Sequence, residues 1–345
     1  MRIREESRWT GSKGHSFNKY AYGGRGGEFS DLLLLPQTGQ LLTFDDRTGI
    51  IFELMTNHPE TQPTAAVAHD SSEVHGRQDT VGGRRDVQAV FTSWETWHRR
   101  QLSDDLFSPI KLVPRWILAD GDGDLSSGFK SEWSSIQDGK IIIGSHGYEV
   151  WPYGGPYEIG SGHTNVQWVK QVDLLTGAIS HVNWTQHFNA ISAAVGVKPP
   201  GYLTHEAAEW SSVHNRWFFL PRRLSLDQPW DPILDGQRGC TLLISCSITF
   251  HDIKIVQLKM RGQPERGFSA MRFVPGTQDR HIVATRTVEI EGADKGRRCS
   301  SYITVIDLEG NVLMPETFLG NHKYEGLEIM GSTSASVPNL SDALN

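Results

Sequence analysis

The chain carries only three cysteines in 345 residues, Cys240, Cys246 and Cys299. So small and odd a set builds no disulfide framework, and its spacing matches no metal-binding motif. No apolar run reaches the roughly eighteen residues that a membrane-spanning helix needs. The polar start, MRIREESRWTGSKGHS, lacks the apolar stretch of a secretory signal. Positive charge is short as well: 33 Lys and Arg against 40 Asp and Glu give a formal net charge of −7. No global basic field therefore attracts nucleic acid or acidic lipid, and a polyphosphate ligand would need a local set of cations or a metal.

What is present points to β-structure. Glycine (35) and tryptophan (11) are plentiful, as suits many tight turns and large packing anchors. Strand-like runs follow one another: DLLLL (31–35), QLLTFDD (40–46), GIIFELM (49–55), RWILAD (115–120), KIIIGSH (140–146) and QWVKQVDL (167–174). RWFFLP (216–221), CTLLISCSI (240–248), IKIVQLK (253–259), HIVATRTVEI (281–290) and SSYITVIDLEG (300–310) continue the series. Short strands at near-regular spacing read as an all-β sandwich, barrel or propeller. One short helix is expected over about 184–195. Asn183 caps it, Trp184, Phe188, Ile191 and Val195 share one face, and Pro199-Pro200-Gly201 ends it.

Residues 57–110 are polar, rich in His, Thr, Ser and Arg, and without periodicity, so they are expected to be a disordered insertion. Residues 1–23 read as an irregular N-terminal segment and 331–345 as a loose tail. That leaves one domain over 24–330.

A repeat selects the architecture. Glu28-Phe29-Ser30-Asp31, Phe129-Lys130-Ser131-Glu132-Trp133, Leu203-Thr204-His205-Glu206, Gly267-Phe268-Ser269 and Lys323-Tyr324-Glu325-Gly326 share one design. Each places an aromatic or aliphatic residue, then Ser or Glu, at the edge of a strand run. The steps from Ser30 to Glu132, Glu206, Ser269 and Glu325 are 102, 74, 63 and 56 residues. With an insertion of roughly fifty residues removed from the first step, all approach the length of one four-stranded blade. Five blades would bring one oxygen-bearing residue each to a common axis. Three glutamates and two serine hydroxyls are hard donors, suited to Ca²⁺, and three bare carboxylates would repel one another. Ser and Glu are common, however, and five unrelated strand starts give the same pattern.

At these segments the chain resembles the calcium-activated nucleotidase (apyrase) family. The matching stretches include GRGGEFSDLLLL, Asp45-Asp46-Arg47-Thr48-Gly49, WILADGDG, GFKSEW, PPGYLTHEAAEW, RWFFLPRR (216–223), GFSAMRFVPGTQD (267–279), SYITVIDLEGNVLMPET (301–317) and KYEGLE (323–328). The resemblance implies a five-bladed β-propeller with one central Ca²⁺. It implies hydrolysis of nucleoside di- and triphosphates, calcium-dependent pairing of two copies, and a secretory or extracellular location. Carried over by motif, the calcium ligands would be Ser30, Glu132, Glu206, Ser269 and Glu325, with the main chain or side chain of Asp31. Asp45 or Asp46 would be the base that activates water. Arg47, Arg222 and Arg223 would clamp phosphate, with Lys130 and Lys323 adding charge.

Blander readings stand beside these. DDRTG is a good turn sequence, and Arg222-Arg223 could be a solvated pair. Asp120-Gly-Asp-Gly-Asp124 is not an EF-hand, since its sixth position is Leu125 and its twelfth Ser131; an inter-blade loop is expected there. A propeller that binds calcium and a ligand without catalysis is the main alternative.

Overall fold

In the computed structural model the described residues are 28–55, 111–150, 163–292 and 296–330. The runs of branched and aromatic residues form strands separated by turns with left-handed residues, among them Gly39, Asp138, Gly177 and Gly310. The first sheet has the order β1 (Phe29–Leu34), β2 (Leu41–Asp45), β3 (Ile50–Met55) and β4 (Lys111–Ile117). The second runs β5 (Trp133–Gln137), β6 (Lys140–Gly144), β7 (Trp168–Asp173) and β8 (Ile179–Asn183). The third comprises β9 (Tyr202–Ser211), β10 (Arg216–Ser225), β11 (Leu242–Ser247) and β12 (Ile253–Gln257). The fourth comprises β13 (Arg266–Phe273), β14 (His281–Gly292), β15 (Gly296–Asp307) and β16 (Val312–Gly320). Each is a four-stranded meander in chain order, the blade unit of a β-propeller.

Four of the five repeat segments lead into or lie within the first strand of a blade: β1, β5, β9 and β13. These strands pack on one another. Asp31 of β1 accepts hydrogen bonds from Ser134 of β5 and from Arg272 of β13, and β9 lies against both β5 and β13. Five blades were expected, but among the described residues there are four. The fifth segment, 323–328, lies between β13 and β1 and pairs with no strand among the described residues. Serine hydroxyls reach its main-chain groups. Ser269 Oγ donates to the Tyr324 carbonyl (2.9 Å), and Tyr324 N–H donates to Ser301 Oγ (3.0 Å). Gly326 passes so close to β1 that a Cβ would lie 2.9 Å from Leu32 N. The expectations for residues 1–23, most of 57–110 and 331–345 lie outside the described residues.

The chain divides into two compact units. Leu34–Leu41 and Glu53–Val113 form the smaller, in which Leu35 N–H donates to the Gln40 carbonyl (2.8 Å) and Gln40 reaches Glu53 (3.1 Å). All candidate site residues belong to the larger. Its core has two parts. Trp133, Trp184, Trp217, Phe188 and Phe219 anchor one, and Phe218, Leu220, Phe268 and Met271 the other. The helix α1 (Thr185–Val195) buries Phe188 and Ile191 in the first part, as its spacing required. Asn183 Oδ1 accepts the Thr185 N–H (2.8 Å). The helix stops at Gly196, left-handed at φ 91°, whose N–H bonds back to Ala193 and Ser192. It therefore ends before Pro199, because a left-handed glycine already closes the last carbonyls.

Candidate metal and phosphate site

The turn after β2 separates two adjacent aspartates. Asp45 Oδ1 accepts the main-chain N–H groups of Arg47 (3.0 Å) and Thr48 (2.9 Å), and its Oδ2 that of Glu28 (3.3 Å). Its carboxylate is thus spent on the turn. Asp46 projects the other way, and its Oδ2 meets Lys130 Nζ at 3.1 Å. Its Oδ1 is buried without a hydrogen-bond donor. Burial pushes the Asp46 carboxyl above the usual range; Lys130 opposes this and Glu132 adds to it. Arg47 is half exposed and pairs with Glu28 at 2.8 Å.

Lys130 also contacts Glu132. Burial alone would depress the Lys130 ammonium, but Glu132 and Asp46 outweigh it and hold the charge on. Glu132 and Glu206 are 3% and 7% exposed, and one imidazole nitrogen joins them. His146 Nε2 lies 3.1 Å from Glu132 Oε1 and 3.3 Å from Glu206 Oε1. The ligand atoms of Glu132, His146 and Glu206 all fall within 4.8 Å of one another.

On β10 the ladder to β9 slips on both sides of Pro221. Beyond that bulge Arg222 and Arg223 are both buried. Arg222 reaches Glu206 Oε2 (2.8 Å), Glu289 (3.1 Å) and the Thr287 hydroxyl (2.7 Å). Arg223 turns instead toward Asp235, at 3.6 Å, and burial lowers its guanidinium to about 10. Burial would raise Glu206, but Arg222, Lys323 and His146 outweigh it and hold the carboxyl low. Lys323 contacts Glu325 and lies 3.3 Å from Glu289. Glu325 is pushed up, by burial first and then by Glu206 and Glu132 against the pull of Lys323.

The structure thus brings together Asp46, Lys130, Glu132, Glu206, Arg222, Lys323 and Glu325 from the sequence-derived set. It adds His146 and Glu289, which that reading missed. His146 was hidden at the end of the run KIIIGSH, where a strand end explains it equally well. The Asp31 carboxylate is taken up by Ser134 (2.7 and 2.6 Å) and Arg272 (3.2 Å), tying β1 to β5 and β13. Ser30 and Ser269 are buried on their strands, donating to the Phe44 and Tyr324 carbonyls.

The donors suit a hard divalent ion. Asp46, Glu132, Glu206, Glu289 and Glu325 face three cations, Lys130, Arg222 and Lys323. Arg47 adds a fourth cation 3.7 Å from Asp46 Oδ1, and burial first, with neighbouring carboxylates adding to it, raises Asp46 and Glu325.

The sequence model of the family described as Apyrase matches residues 3–77 and 104–330. The chain belongs to the apyrase family. An apyrase of Cimex lectularius is 34% identical over 313 residues, covering 91% of this chain and 68% of that protein. Soluble calcium-activated nucleotidase 1 of Rattus norvegicus is 33% identical over 322 residues, covering 93% and 63%. The Apyrase apy-1 of Caenorhabditis elegans is 32% identical over 308 residues, covering 89% and 68%. The chain thus spans 63% to 68% of the length of these family members. Among the described residues no helix is long and apolar enough to cross a membrane.

Proposed function

We propose that this chain is a calcium-dependent nucleotide phosphohydrolase that removes the terminal phosphate of nucleoside di- and triphosphates. One observation carries the reading: in an apyrase-family chain, the buried Glu132 and Glu206 and the half-buried Glu325 gather with Lys130, Arg222 and Lys323, beside the further carboxylates of Asp46 and Glu289. Glu132, Glu206 and Glu325 would hold Ca²⁺, with the hydroxyls of Ser30 and Ser269 and the main-chain carbonyl of Asp31 completing the donors. Bound calcium would neutralise phosphate oxygens and orient the attacking water.

The remaining steps fall to side chains. Lys130, Arg222 and Lys323 bind phosphate oxygens and stabilise the charge that develops on them; the guanidinium of Arg222 can do so bidentately. Asp46 is the base. Its Oδ1 accepts no hydrogen bond, though Arg47 Nε lies 3.7 Å away, and burial makes it a better proton acceptor than an ordinary carboxylate. Water attacks the terminal phosphorus, its proton passes to Asp46, and the phosphoanhydride bond breaks with its electron pair left on the departing phosphate oxygen. Asp45, Arg47 and Arg223 serve the frame around the site.

The test is phosphate release from GDP, UDP, ADP, ATP and GMP with calcium, with magnesium alone and with EGTA. Calcium-dependent turnover of di- and triphosphates, reduced at least about a hundredfold by Glu206→Gln and by Asp46→Asn, is expected. A wild-type protein that binds calcium and melts cooperatively but releases no phosphate would be a non-catalytic binding propeller.

A further inference from the structure

We infer that His146 makes the Glu132–Glu206 site a mixed nitrogen–oxygen centre that takes a borderline divalent ion, Zn²⁺ or Mn²⁺, in competition with Ca²⁺. The inference rests on the reading that these glutamates hold the metal, and it concerns which ion they hold.

The geometry is the first argument. Ligands about 2.0–2.2 Å from a tetrahedral ion lie roughly 3.3 Å from one another. The separations of His146 Nε2 from the two carboxylate oxygens, 3.1 and 3.3 Å, are of that size. Two carboxylates and one imidazole leave a fourth position for water or a phosphate oxygen, the ligand count of an open catalytic centre.

The backbone holds the ring in place. The His146 carbonyl accepts the N–H of His205 (3.0 Å), the residue before Glu206, so the two ligands share one main-chain clamp. Gly147 follows at φ 80°, with its N–H on the Val166 carbonyl (2.9 Å). A Cβ there would sit 2.6 Å from the Phe188 ring, so helix α1 props the turn from behind. His146 remains 20% exposed beside the Tyr148 ring, which leaves a route for an ion.

The chemistry is the second argument. Calcium selects oxygen and gains little from imidazole, whereas the later divalent metals bind nitrogen well and rise in affinity toward copper and zinc. Lys130 and Arg222 rest on the same carboxylates and must give way to either ion. Their displacement therefore does not discriminate, and the imidazole does.

The chain, stripped with EDTA, would be titrated with Zn²⁺, Mn²⁺ and Ca²⁺ against fluorescent chelators, with thermal unfolding as a second readout. Wild type, His146→Leu, His146→Gln and Glu206→Gln would be compared. Loss of a direct ligand should weaken Zn²⁺ binding by at least about a hundredfold in both His146 variants. Ca²⁺ affinity should change little in them, and both ions should weaken in Glu206→Gln. Unchanged zinc affinity in the His146 variants would overturn the inference, since the ion would then be held elsewhere. Equal losses for zinc and calcium would overturn it too, leaving His146 a packing residue. Zinc binding that needs His146 in a chain that ignores calcium would keep this inference and remove the calcium reading.

Discussion

Asp45 and Asp46 are neighbours of one kind with two occupations. The first aspartate of an Asx turn accepts main-chain N–H groups two and three residues on, and Asp45 does so. The second is left pointing outward from the turn. Asp45→Ala removes the acceptor from three N–H groups in a buried setting and should cost about 2 kcal/mol of stability. Asp46→Asn should leave the unfolding midpoint nearly unchanged while stopping phosphate release. Urea melts beside turnover assays check both, and equal stability losses would refute the division of labour. The string DDRTG carries both residues, and only the direction of the turn separates them. Lys130 was legible as a cation beside a ligand. Its bridge from Asp46 to Glu132 was not, because those residues come from different blades.

At the scale of elements, the middle strands of each blade were plain in the sequence because branched residues cluster in them, whereas the outermost β8 and β16 were not read. Of the first strands, β1 was read as DLLLL, but β5, β9 and β13 were obscure. Tyr202–Ser211 is buried on both faces, with Ala208 and Trp210 in one core cluster and Ala207 in the other, so no alternation shows. The loop after β4 was expected to join blades, and it does so with help no periodicity could reveal. Lys170 of β7 is fully buried, donates to the Gly121 carbonyl, faces His181 Nδ1 at 3.0 Å and lies 4.8 Å over the Phe129 ring. Burial lowers its ammonium from 10.5 to about 8 against the pull of Asp120 and Asp122. The folded state thus sheds the proton before the unfolded chain does. The cost of the buried charge is present below about 8 and is relieved as pH rises toward 10.5. The stability of wild type relative to Lys170→Met should therefore increase across that window, measured by paired urea melts at pH 7, 8.5 and 10. A constant difference would mean that Lys170 keeps its proton in the fold.

For the whole molecule, the question is what holds segment 323–328, which has no strand partner among the described residues. Among the described residues, Ser269, Ser301 and Arg272 tie it down. Ser269 Oγ donates to the Tyr324 carbonyl, and Ser301 Oγ donates to the His322 carbonyl (2.7 Å) while accepting the Tyr324 N–H. Arg272 reaches Glu328 at 3.4 Å. A metal held by Glu325 together with Glu132 and Glu206 would add a fourth tie, drawing the segment onto β9 and the residues leading into β5. Binding to the folded state alone stabilises it by about 2.7 kcal/mol at a hundred times the dissociation constant. Calcium should therefore raise the unfolding midpoint, and EGTA should reverse the rise. Glu325→Gln should abolish most of that rise. Ser301→Ala, which leaves every candidate ligand intact, should lower the metal-free midpoint and weaken calcium binding several-fold, because the segment must then be ordered at the expense of the ion. A calcium-induced rise of wild-type size in Glu325→Gln would show that the fifth segment takes no part in the site. An unaltered calcium affinity in Ser301→Ala would show that the Ser301 tie does not pre-order the segment for the ion.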